Sequence, residues 1–119
     1  MCVVNVRELC NQIAAVYEKL TQGTGIEVCN TMTDSKPGQI MITTHGKFEQ
    51  LISGRKPIDL KQLKCLVIDE ADVFFLDEKN YQSIKKITNY KDIKGIEKLQ
   101  YILFSATFQT QDKERFELF

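Results

Sequence analysis

Short runs with apolar residues on both alternating faces recur along the chain. They begin with Met1 to Val4 and continue through IEVCN (26–30), QIMIT (39–43), KCLVI (64–68) and QYILF (100–104). A strand apolar on both faces must be covered on both faces. Between these runs lie stretches with helical periodicity. In VRELCNQIAAVYEKLTQG (6–23), Leu9, Ile13, Val16, Tyr17 and Leu20 share one side of a helix, and Gly23 supplies a stop. DSKPG (34–38) is a turn and TTHG (43–46) another. KFEQLIS (47–53) is a short helix ending at Gly54, a polar helix spans about Tyr81 to Tyr90, and a Lys-rich connection follows. A last helix starts near Thr110 and runs to Phe119. Strands alternating with helices in this way predict an α/β fold, a parallel sheet with helices on both faces.

At 119 residues the chain holds one domain at most. Sixteen basic residues balance sixteen acidic ones, so no overall positive field draws in nucleic acid, and any such binding needs a local patch. Cys2, Cys10, Cys29 and Cys65 form no CxxC pair and no zinc-like spacing. They read as reduced, mostly buried thiols. The N-terminus has no basic-then-apolar signal and the apolar runs are far too short to span a membrane. The cytoplasm or nucleus is the expected location.

Charge interrupts this apolar pattern most sharply in LVIDEADVFF (66–75), where Asp69, Glu70 and Asp72 stand between two apolar runs. Carboxylates this close to a core are costly unless they are paired, hydrated or bound to a cation. In open α/β sheets ligands bind beyond the carboxyl ends of the strands, which is where Asp69 and Glu70 fall if KCLVI is a strand. There an acidic residue can hold a nucleotide's Mg²⁺ and a neighbouring Glu can orient and deprotonate the attacking water. The tetrapeptide alone serves equally as the acidic start of a following helix. An EF-hand is excluded, because Ala71 and Phe74 stand where an oxygen ligand and a Gly are needed.

Two other groups of residues bear on that choice. LFSAT (103–107) ends another buried strand with Ser105 and Thr107 flanking Ala106, and a neighbouring parallel strand brings those hydroxyls within reach of Asp72. VREL (6–9) and TTHGK (43–47) follow two more strands, at helix starts whose free N–H groups suit phosphate oxygens. Arg7 and Lys47 add full charges there. Taken singly, Arg7 reads as a solvated or ion-paired surface residue. A row of such ends makes a track for a single-strand backbone without base readout. His45, the sole histidine, reads as a turn residue and not as a ligand.

In order and separation, VREL, TTHGK, VIDEAD and FSAT resemble the PTREL, TPGR, VLDEAD and SAT motifs of the first RecA-like domain of DEAD-box RNA helicases. The resemblance covers nearly the whole chain and implies ATP, Mg²⁺ and RNA. By it Asp69 holds Mg²⁺ through water, and Glu70 is the catalytic base. Asp72 bonds to the Ser105-Ala106-Thr107 segment, coupling ATP to RNA, while Arg7, Thr44, Gly46 and Lys47 contact RNA phosphates and sugars. IDLKQLKCLVIDEADVFF and LFSATF look most like the messenger-RNA-export branch. The resemblance also implies protein activators for the full-length protein, and a monomer is expected.

The sequence departs from the family pattern in several places. Asn5 and Val6 replace Pro and Thr, and Thr43 and His45 stand where Gly and Pro are usual. Lys47 replaces an Arg, keeping charge without the planar fork. The usual Gly-Gly pair is missing from CNTMTD, and no GxxxxGK[ST] occurs, since Gly46-Lys47 is followed by Phe48. The chain is therefore expected to be a partial RecA-like domain lacking the P-loop strand, with that segment upstream and a second RecA-like domain beyond Phe119. Three functions follow as expectations. The first is an ATP-dependent RNA helicase core fragment, inactive alone. The second is a catalytically silent, truncated RNA-binding module. The third is a DNA translocase, against which the motif order argues.

Overall fold

The computed structural model describes residues 1–107, 113–117 and 119. Five strands, β1 (Cys2–Val4), β2 (Val28–Asn30), β3 (Ile40–Thr44), β4 (Cys65–Ile68) and β5 (Gln100–Leu103), form one sheet in the order β2-β3-β1-β4-β5. Every pairing is parallel. Among the described residues six helices connect or follow them: α1 (Arg7–Leu20), α2 (His45–Ser53), α3 (Ala71–Leu76), α4 (Glu78–Thr88), α5 (Lys91–Lys94) and α6 (Lys113–Phe116).

Side chains alternate across a strand, so each strand feeds two cores. Cys2, Val4 and Ile42 point to one face, where Cys10 and Ala14 of α1 cover them. Val3, Met41, Leu66 and Ile68 point to the other, against Phe48 of α2, Phe74 and Phe75 of α3, and Ile84 and Ile87 of α4. Apolar residues on both faces of the strands are thus required, as a sheet covered on both sides demands.

The face that α1 buries is rotated from the expected one. Cys10 and Ala14 are its buried residues, flanked by half-buried Leu9, Ile13 and Tyr17, whereas Val16 is 56% and Leu20 72% exposed. Small side chains let the helix lie close to the sheet, so the contact line follows them and not the largest residues. Thr21 closes the helix, its N–H donating to the Tyr17 carbonyl at 2.9 Å. Gly23 follows at φ +76°. Where β3 enters beside β2, a Cβ on Gly38 would lie 2.5 Å from the Glu27 carbonyl oxygen, so only glycine fits that close approach.

TTHG is not a free turn. Thr44 ends β3 and caps α2, its hydroxyl accepting from the Lys47 N–H at 3.2 Å, so His45 and Gly46 are already helical. The polar helix begins three residues before Tyr81, because Asp77 caps it by accepting from the Asn80 N–H at 2.8 Å. The Lys-rich connection contains α5, which buries Ile93. The Asp92 carboxylate accepts from the Leu60 N–H at 3.2 Å and pins the loop before β4. The expected start of the last helix near Thr110 lies outside the described residues. Phe116 and Phe119 close the sheet's second face, with ring centroids 5.0 and 6.3 Å from Phe75. Arg115 stacks 4.5 Å from the Tyr81 ring and donates to the Phe75 carbonyl.

Cys2, Cys10 and Cys29 are buried, Cys65 is half-buried, and all four are free thiols. Burial pushes Cys2 and Cys10 up to about 11, so neither is a nucleophile at neutral pH.

Candidate functional site

The parallel register decides which sequence segments meet. Val4 pairs with Thr44, Val3 with Ile68, and Ile68 with Leu103. The residues that follow β3, β1, β4 and β5 therefore leave one rim of the sheet side by side. These are Thr44–Lys47, Arg7, Asp69–Asp72 and Ser105–Thr107.

At the β4 exit the backbone hydrogen bonds hold to the rim. The Asp69 N–H donates to Val3 O at 3.1 Å, and the Phe104 N–H to Ile68 O at 2.9 Å. The chain then turns sharply. Glu70 adopts the left-handed conformation, φ 54° and ψ 50°, the only non-glycine residue with positive φ among those described. Such a conformation is costly for a residue with a Cβ and collects at functional sites. Its N–H donates to Asp69 Oδ1 at 3.0 Å, which orients the Asp69 carboxylate against the turn. Both side chains are half-buried.

After the turn, α3 is tied to the β5 exit. The Ala71 N–H donates to Phe104 O at 2.9 Å and the Asp72 N–H to Ser105 Oγ at 3.3 Å. Thr107 Oγ1 donates to Asp72 Oδ2 at 2.9 Å. Ser105 Oγ accepts also from the Thr107 N–H and donates to the Thr107 carbonyl at 2.7 Å, closing the tripeptide around its own hydroxyl. Ala71 is fully buried, while Ala106 is exposed at the tip. The Thr107 hydroxyl, then Ser105 and the Val73 N–H, hold the Asp72 carboxyl below its ordinary value despite opposing desolvation.

The basic side of the rim is more open. Arg7 is exposed at the first position of α1. Gly46 is exposed, and a Cβ there would meet nothing within 4 Å. The Thr44 hydroxyl is occupied as an acceptor in its cap, which leaves its proton free to donate. Lys47 is half-buried. Register brings Arg7 and Thr44–Lys47 to neighbouring strand ends, with β1 directly beside β4 and its carboxylates and β3 one strand further. His45, read from the sequence as a turn residue, has its ring edge-to-face on Phe74, centroids 5.6 Å apart at 86°. A lone histidine in a polar tetrapeptide gives no sign of that partner, which lies 29 residues on (74 − 45).

The donor set bears on a metal. Among the described residues no group of three or more His, Cys, Asp or Glu is arranged to hold an ion by itself. Mg²⁺ keeps several waters and needs only a carboxylate or two plus phosphate oxygens, so the Asp69–Glu70 exit fits that ion and not a structural metal. A cleft of about 820 Å³ lies at the opposite end of the sheet, lined by Met1, Ile40 and Cys65 at the strand starts. It is remote from this chemistry.

The architecture is that of the RecA-like domains of RNA helicases. A structure described as a hypothetical ATP-dependent RNA helicase from Sulfolobus tokodaii superposes with a TM-score of 0.76 at 24% identity, covering 98% of this chain and 36% of that one. Saccharomyces cerevisiae Dbp5, bound in its structure to Nup159, Gle1, IP6 and ADP, superposes with a TM-score of 0.74 at 21% identity, covering 97% and 32%. A family model described as DEAD/DEAH box helicase matches residues 1–116, and the chain belongs to that family. Probable ATP-dependent RNA helicase DDX4 of Sus scrofa is 34% identical over 116 residues, covering 89% of this chain and 16% of that protein. DEAD-box ATP-dependent RNA helicase 38 of Arabidopsis thaliana is 31% identical over 127 residues, covering 96% and 25%. The chain thus spans between 16% and 25% of the length of these two relatives.

Proposed function

We propose that these 119 residues are part of the first RecA-like domain of an ATP-dependent RNA helicase, coupling ATP hydrolysis to RNA binding and duplex unwinding. The observation that carries the reading is a pair of hydrogen bonds at Asp72, whose carboxylate accepts from the Thr107 hydroxyl and whose N–H donates to Ser105 Oγ. They join the β5 exit to the carboxylate turn on the rim that also presents Arg7 and Lys47. MgATP supplies the phosphoryl group and the cation that spreads its charge. Asp69 would hold the ion, and Glu70, set by its left-handed turn, would orient the attacking water and take its proton. Asp72, Ser105, Ala106 and Thr107 transmit the nucleotide state, and Arg7, Thr44, Gly46 and Lys47 grip the sugar–phosphate backbone. Because those contacts are to the backbone, binding is indifferent to base, and a single strand is the expected partner.

No GxxxxGK[ST] cradle occurs in the sequence, so the chain by itself is expected to release no phosphate from ATP above background, with or without RNA. RNA-stimulated turnover by the isolated chain would contradict that expectation. A second reading is a catalytically silent RNA-binding module, whose mark is RNA affinity unchanged by ATP. The finer placement in messenger-RNA export rests on IDLKQLKCLVIDEADVFF and LFSATF. It is supported by the likeness of fold to Dbp5, whose structure contains Nup159 and Gle1. Under this reading the full-length protein works as a monomer with protein activators in the cytoplasm or nucleus. Among the described residues no helix is long and apolar enough to cross a membrane.

A further inference from the structure

His45 is out of pattern in a motif read as contacting nucleic acid. The nitrogen Nδ1 of this half-buried side chain is buried and has no hydrogen-bond partner. An unsatisfied buried polar atom is destabilising, so the position carries a penalty that a plain hydrocarbon ring would avoid. The compensation visible in the structure is the aromatic contact. The ring stands edge-to-face on Phe74, itself fully buried. Burial keeps the ring neutral by lowering its pKa. Of the charged groups that act on it, Glu49 one turn along α2 opposes that effect and Lys79 on α4 reinforces it.

Each partner of this contact sits one step from a different part of the rim. On one side, His45 lies between Thr44, whose hydroxyl caps α2, and Gly46-Lys47. On the other, Phe74 follows Asp72 by two residues within α3, a helix of only six residues. That helix enters through the strained Glu70 turn and is tied at its start to Phe104, Ser105 and Thr107. Movement of α2's N-terminus bears on Phe74 through the ring, and a short helix passes it to Asp72 as a rigid unit. We propose that His45 is a positioning residue, its ring on Phe74 linking the phosphate-facing start of α2 to the carboxylate-bearing α3. The inference rests on the RNA reading of Thr44–Lys47 given above. It names a device particular to this chain, where His45 replaces the proline usual in the motif. Coupling of this kind is reciprocal, so a change at either end is felt at the other.

The test uses the whole chain, labelled with ¹⁵N, and single-stranded oligouridylate as the probe. In the unaltered protein RNA is expected to shift the amides of Thr44 to Lys47 and, remotely, those of Asp72, Val73 and Thr107. In His45→Ala the near shifts remain and the remote ones are lost. In His45→Phe, which keeps the edge-to-face ring without the nitrogen, the remote shifts return, a rescue that a mere loss of stability would not produce selectively. Remote shifts that persist in His45→Ala, or that fail to return in His45→Phe, overturn the inference while leaving RNA binding intact. Absence of near shifts in the unaltered protein overturns the RNA reading itself, and this inference with it.

Discussion

Asp72 shows what a single side chain does in this rim. Its carboxylate accepts from the Thr107 hydroxyl and from the Val73 N–H, bonds that favour the charged form. Its folded pKa is lowered from 3.8, so the stability it contributes is complete above that value and is lost as pH falls through the folded one. Following the Asp72 carboxyl resonance by NMR through acid titration should place its midpoint below 3.8, and Thr107→Val should move it back up. An unchanged midpoint in the variant would mean that the hydroxyl is not the main cause. His45 has the same sense of pH dependence from a different origin. Burial lowers its pKa from 6.5, so folding favours the neutral ring, and stability should decline as pH falls below 6.5. The urea midpoint should drop between pH 7.5 and 5.5 in the unaltered chain more than in His45→Phe. Equal drops in the two would assign the loss to other groups.

Among the elements, α2 and α3 illustrate how packing fixes chemistry in place. Phe48 is fully buried, its ring edge-to-face with Tyr90 at 6.0 Å, and it seats α2 on the second face of the sheet. Phe48→Ala should destabilise the chain by about 3–5 kcal/mol, read from chemical denaturation, and a loss below about 1 kcal/mol would show the face to be loosely packed. Asp77→Ala removes the cap of α4 and should cost about 1 kcal/mol. The strands and the carboxylate turn were legible because doubly apolar runs and charge set against a core leave few alternatives. The pairing of Asp72 with Ser105 and Thr107 was legible as well, since parallel neighbours end together. Other features were hidden for physical reasons. The face of α1 follows Cys10 and Ala14, whose small size matters more for close approach than the hydropathy of Val16 and Leu20. The six residues of α3 are too few to display a period. His45 and Gly46 are weak helix formers, so TTHG reads as a turn until Thr44 is seen capping α2. The contact of His45 with Phe74 depends on tertiary packing that local pattern does not record.

For the whole molecule, a neutral chain with balanced charges presents its two kinds of chemistry on adjacent strand ends of one rim. The central claim is that this rim grips an RNA backbone through Arg7 and Lys47 beside a carboxylate turn suited to MgATP. Each phosphate contact to a single strand contributes about 0.7 to the slope of log K against log salt, so removing two should flatten it by about 1.4. The most direct measurement is the affinity of fluorescent oligouridylate and oligocytidylate for the chain and for the Arg7→Ala, Lys47→Ala double variant across a salt series. Both residues lie outside the buried cores, so the variant should keep its melting temperature. The account predicts binding that ignores base identity, weakens with salt, and in the variant loses both affinity and that much of the slope. Affinity and slope unaffected by the double substitution, or no binding even at low salt, would contradict it.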